Sequence, residues 1–158
     1  IEFPYGKFSE DLFRIYKTIL KSRSITYIGF DGYFYYYRDE GSIVVSGYKK
    51  KHLEALDAVD DIEESVKGKG RFDNALSTQY INVIYDIAAR NPLLSEFRNK
   101  RIQNNLKAHR MSVLKDSNAP KRLRGFAAIS LLGNRIVLKV VVARNRRWKV
   151  QRRETKKR

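Results

Sequence analysis

Apolar positions in this chain switch period more than once. After a Pro/Gly turn at Phe3-Pro4-Tyr5-Gly6, residues Leu12, Phe13, Tyr16, Ile19 and Leu20 recur at spacings of three and four. That spacing predicts a helix to about Lys21, with Ser9 as N-cap and Glu10 and Asp11 in the first turn, where the helix dipole favours negative charge. The period then shortens. Ser24 to Ile28 reads as a strand, Asp31-Gly32 as a turn, and Tyr33 to Arg38 as a second extended run rich in aromatics. Asp39 to Gly47 reads as a loop. From Lys49 the helical period returns on Leu53, Leu56, Val59, Ile62 and Val66, ended by Gly68 and Gly70. A second helix is predicted from about Arg71 to Arg90 on Leu76, Tyr80, Val83, Ile84 and Ile87, and a third from Pro92 through about Leu114. Pro120 opens a basic tail. No internal repeat is present.

The pattern predicts an α/β start of roughly 45 residues followed by helices. Two strands and one helix cannot cover their own faces. With no methionine at position 1, this predicts the end of a larger α/β domain whose beginning lies upstream.

Composition narrows the chemistry. The 158 residues contain no cysteine, which removes disulfides, thiolate nucleophiles and cysteine-based zinc sites. His52 and His109 are the only histidines. No signal peptide and no run of eighteen apolar residues is visible. The net charge of +16 is unevenly placed: residues 121–158 carry fourteen Lys/Arg against one acid, Glu154, whereas residues 1–120 carry nineteen against sixteen. The basicity belongs to the tail and predicts an anionic surface near it.

Three sequence blocks, FPYGKFSEDLF, ITYIGF and YFYYYRDEGSI, occur in order. They resemble the second half of the catalytic domain in family 2 glycosyltransferases, enzymes of the GT-A type that build bacterial capsule, exopolysaccharide and teichoic-type glycans. The residues carrying the resemblance are Phe3, Pro4, Gly6, Glu10, Asp11, Ile25, Tyr27, Ile28, Tyr35, Tyr37, Arg38, Gly41, Ser42 and Ile43. They span about residues 1–48, under a third of the chain. The implied organisation is the C-terminal part of a GT-A domain over 1–48, a helical region over 49–118 and a basic amphipathic tail over 119–158.

The implied activity is transfer of a sugar, with inversion, from a nucleotide-sugar donor to a glycan or lipid-linked acceptor in cell-surface polysaccharide synthesis. Such a transfer needs a carboxylate within hydrogen-bond reach of the acceptor hydroxyl. The resemblance assigns that base to Asp11, with Glu10 supporting it or binding the acceptor. Spacing alone reads both as first-turn helix acids. Arg38, whose planar fork can pair two diphosphate oxygens, and Ser42 become donor-binding residues. Tyr37 becomes an acceptor contact, although Tyr33, Tyr35 and Tyr37 also read as packing on one sheet face.

The family's metal-ligating Asp-x-Asp is absent. Asp57-Ala58-Val59-Asp60-Asp61 has the wrong spacing and lies in a helical stretch. A divalent metal (Mg or Mn) is therefore expected upstream of Ile1, and the chain alone is expected to be inactive. Some related enzymes place a metal-ligating histidine where His52 stands, but Lys49-Lys50-Lys51-His52 reads as a solvated helix start. His109, between Lys107 and Arg110, reads as surface.

In the tail, apolar blocks Phe126–Leu132 and Ile136–Ala143 are bordered by Lys/Arg, with Trp148 beyond. That pattern fits interfacial helices on an anionic membrane and a cytoplasmic, peripheral location at its inner face. A last helix packed on the core, followed by a loose basic end, is the alternative. Nucleic acid is the competing partner class. The nearly balanced body and the lack of any helix-turn-helix, zinc-finger or RNA-recognition signature argue against it.

Overall fold

A computed structural model of the chain describes residues 5–30, 32 and 48–155. Among the described residues seven α-helices run in order: α1 (Glu10–Lys21), α2 (Glu54–Val66), α3 (Asp73–Ala89), α4 (Leu94–Phe97), α5 (Lys100–Lys115), α6 (Lys121–Ile129) and α7 (Asn134–Thr155). Single turns of 3₁₀ helix precede α2 at Lys50–Leu53, precede α3 at Gly70–Phe72 and follow α6 at Ser130–Leu132.

The described residues contain no strand, which overturns the α/β fold class. Residues 24–30, expected to supply the first strand, are exposed and without regular structure. Ile25, Tyr27, Ile28 and Phe30 all face solvent. A strand exists only through hydrogen bonds to a neighbouring strand. No neighbouring strand is present for 24–30 among the described residues. The second expected strand, Tyr33–Arg38, and the loop after it fall outside the described residues.

The hub of the fold is α3, which packs against α2, α5, α6 and α7. Its buried residues, Ser77, Tyr80, Ile81, Val83, Ile84, Ile87 and Ala88, occupy more of its circumference than one apolar stripe. A helix enclosed by four neighbours needs that wider coverage. Around it one cluster gathers Leu56 and Val59 from α2, Phe97 from α4, Ile102, Leu106 and Val113 from α5, Leu123 and Phe126 from α6, and Val137 and Val141 from α7. The apolar blocks of the tail are thus divided. Phe126, Ala127, Val137 and Val141 enter the core, whereas Leu131, Leu132, Ile136 and Val140 stay exposed.

Helix boundaries follow local chemistry. Gly68, at φ +75°, ends α2 in the left-handed conformation that glycine adopts without strain. Asn91, at φ 57°, does the same after α3, just ahead of Pro92. The expected single helix from Pro92 is broken into α4 and α5. Leu93 N–H donates to Glu96 Oε2 at 2.7 Å, closing the first short turn. Asn99 Oδ1 then accepts from Arg101 N–H at 2.9 Å and starts α5 afresh.

Candidate functional site

Glu10 and Asp11 open α1 and are both exposed. The expected cap differs in detail. Ser9 lies in the left-handed region at φ 62°, and its side chain makes no cap bond. Leu12 N–H is served instead by Ser9 O at 3.0 Å and by Asp11 Oδ1 at 2.8 Å. Asp11 therefore holds the turn with one oxygen while remaining open to solvent.

No residue of α1 is fully buried; Leu12 packs partly buried against the core, and polar contacts join the helix to α2. Tyr16 hydroxyl donates to Asp61 Oδ2 at 2.6 Å, and Lys17 Nζ pairs with the same oxygen at 2.7 Å. Phe8 N–H donates to Glu54 Oε2 at 2.9 Å, and Lys7 Nζ lies 3.9 Å from Asp57 Oδ2. Burial pushes the Asp61 carboxyl upward, but the bonds from Lys17 and Tyr16 outweigh it and hold the group below its ordinary 3.8.

The acids of α2 are consumed within the fold. Arg101 bridges Asp57 and Asp60, its Nη2 lying 2.5 Å from Asp60 Oδ2. The Tyr80 hydroxyl lies 2.6 Å from Asp60 Oδ1 and 2.7 Å from Glu63 Oε2, so one proton faces two carboxylates. Burial and then those two acids raise the Tyr80 phenol far above its ordinary range. This network was not visible from spacing. The one signal for it was Tyr80 on the apolar face of a predicted helix, where a buried hydroxyl requires a partner.

His52 is not at a solvated helix start. It is 2% exposed, with its ring 4.6 Å edge-to-face from Phe8 and 5.9 Å from Tyr48. Nδ1 lies 2.8 Å from both the N–H and the carbonyl of Lys49, whereas buried Nε2 has no hydrogen-bond partner. Burial, then the charges of Arg90, Lys51 and Lys49, lower its pKa below the ordinary 6.5 and keep it neutral. That positive surrounding opposes a divalent cation, so the residues around His52 do not fit a metal site. Among the described residues no group of three or more His, Asp or Glu side chains could hold a metal ion.

His109 is also drawn inward, not displayed on the surface. It stacks on Tyr80 at 4.3 Å between ring centres, and its Nδ1 lies 3.1 Å from Ser77 Oγ. Burial lowers its pKa, partly offset by Glu63. Of the expected site residues, Arg38, Ser42 and Tyr37 lie outside the described residues. The structure brings Glu10 and Asp11 together at one exposed helix end and leaves His52 in a separate apolar pocket with Phe8. Comparison with protein-family models, curated proteins and solved structures returned no match to the chain. Among the described residues no helix is long and apolar enough to cross a membrane.

Proposed function

We propose that this chain belongs to a family 2 glycosyltransferase, which passes a sugar from a nucleotide-sugar donor to a glycan or lipid-linked hydroxyl at the inner face of the membrane. The observation that carries this reading is the ordered set of blocks from Phe3 to Ile43, at separations that resemble that family. The exposed start of α1 supports it. A base for an acceptor hydroxyl must be reachable from solvent, and Asp11 is exposed in a helix first turn. Glu10 beside it adds negative charge, which favours the oxocarbenium-like transition state. Arg38 and Ser42 would contact the donor diphosphate and Tyr37 the acceptor. A divalent metal, when bound, would neutralise the leaving nucleotide.

The test uses the whole gene product that contains these residues. Asp11→Asn is expected to lower turnover by about 10²- to 10⁴-fold, the usual contribution of a general base. Nucleotide-sugar affinity, measured by titration calorimetry, should stay within about twofold, because the base acts on the acceptor. Near-normal turnover in the variant overturns the assignment of Asp11. A wild-type gene product that binds no nucleotide sugar overturns the transferase reading itself and favours a helical interaction module.

A further inference from the structure

One flank of α7 is neither packed into the core nor polar. Val137 and Val141 point into the core, at 0% and 4% exposure. Yet Ile136 and Val140, one turn apart and about 100° round the helix from that pair, are each 42% exposed. At 100° per residue, Ala143 falls beside Ile136 on the side away from Val140, with Lys139 and Arg135 beyond it and Arg144 beyond Val140. Leu131 and Leu132, in the turn that leads into α7, add further exposed aliphatic surface at 51% and 66%. Arg135 and Lys139 make the side opposite Val137 and Val141 polar, as expected, so the exposed aliphatics form a separate stripe on the flank.

We infer that this face docks on an anionic phospholipid bilayer, with Ile136 and Val140 entering the headgroup–acyl boundary and Arg135, Lys139 and Arg144 pairing with lipid phosphates. An aliphatic centre with a cationic border is the arrangement an interfacial helix presents to a membrane. Charge complementarity commits the surface to an anionic partner: from Lys121 to Arg153 the sequence contains no acid. The exposed aliphatics choose lipid over nucleic acid, because branched apolar side chains gain nothing against a solvated phosphate backbone and offer no stacking plane for a base. Leucines and an isoleucine gain the full transfer term only when water is removed. The docking rests on the peripheral location in the reading above, not on sugar transfer, since vesicle binding needs no turnover.

The measurement is co-sedimentation of the purified chain with vesicles of mixed phosphatidylglycerol and phosphatidylcholine, against pure phosphatidylcholine. The chain should bind the anionic vesicles and leave the neutral ones. Ile136→Ser/Val140→Ser and, separately, Lys139→Glu/Arg144→Glu should each weaken partition by about tenfold or more, from lost apolar insertion and lost surface attraction respectively. All four positions are solvent-exposed, so far-ultraviolet circular dichroism should match the parent. Lys67→Glu, a charge reversal in the turn after α2, should bind as the parent does. Fluorescence of Trp148, the single tryptophan, gives an independent readout of association. Equal partition to both vesicle types, unchanged binding by the serine variant, or displacement from vesicles by equimolar duplex DNA overturns the inference.

Discussion

At the scale of single residues, the two histidines show how burial decides chemistry that residue type leaves open. Each is held neutral in the fold, and the protonation balance has a definite sign. A histidine whose folded pKa lies below its unfolded 6.5 binds fewer protons folded than unfolded in the window between the two values. Stability is therefore full above about pH 6.5 and falls as pH drops through that window. The slope is bounded by about 1.4 kcal/mol per pH unit for each histidine in it. Asp61 acts in a separate range: its stabilisation is present above 3.8 and fades only below it. Urea unfolding between pH 7 and 5 should thus show a loss that His52→Asn makes shallower. Asparagine keeps an acceptor near the Nδ1 position for Lys49 N–H but does not titrate. A variant with the parent's full acid slope would mean that His52 contributes none of it. Neither histidine's setting was legible in sequence. Lys49-Lys50-Lys51 ahead of His52 reads as solvent, but Phe8, forty-four positions earlier, folds over the ring.

At the scale of elements, α1 and α3 are stabilised in opposite ways. The four helices around α3 exclude water from it, so its loss would expose most of the core. α1 is twelve residues long, too short to persist alone in water, and rests on α2 through Asp61 and Glu54. The Lys17–Asp61 pair is more than a third exposed on both sides, so solvent screens it, and the Tyr16 bond to the same carboxylate carries the larger share. Removing the carboxylate with Asp61→Ala should lower the local opening free energy of α1 by about 1–2 kcal/mol. Hydrogen exchange would show this as faster amides in residues 13–21, with α3 and α5 unchanged. Equal loosening of α3 would show that α1 is part of the cooperative core. Period-3.6 patterning did locate α2, α3 and α5, because each buries an apolar stripe, and also α1, of which only Leu12 packs, partly buried, against the core. It missed the α4–α5 break, which depends on an asparagine side chain capping a new helix, a polar signal inside an apolar pattern. It also predicted a strand over Ser24–Ile28 from side chains that suit one, although a strand depends on a partner that side-chain pattern cannot supply.

At the scale of the whole molecule, the hydrophobic cluster begins at Ala55 and ends at Val141. Of the described residues before it, Leu12, Tyr48 and Leu53, all partly buried, pack at its margin. Cohesion therefore resides in α2 to α7, and the path from α1 toward α2 crosses exposed residues 22–30. That division makes a physical prediction about cleavage. A protease needs an extended, accessible backbone of several residues, which helices α2 to α6 do not offer and residues 22–30 do. Lys21 and Arg23 stand at its start, both exposed, so limited trypsin should cut there early. Cuts in the arginine-rich end would be resolved separately by mass. The product beginning at Ser22 or Ser24 retains every buried side chain of the cluster. It should keep a cooperative thermal transition, lowered by no more than about 4–8 °C if α1 contributes about 1 kcal/mol to global stability. The Asp11 carboxylate would leave with α1, so the same cut would separate the candidate base from the membrane-facing helix. Vesicle binding by the trimmed chain would then persist, whereas a trimmed chain that melts without cooperativity would show that the N-terminal segment is needed to complete the core.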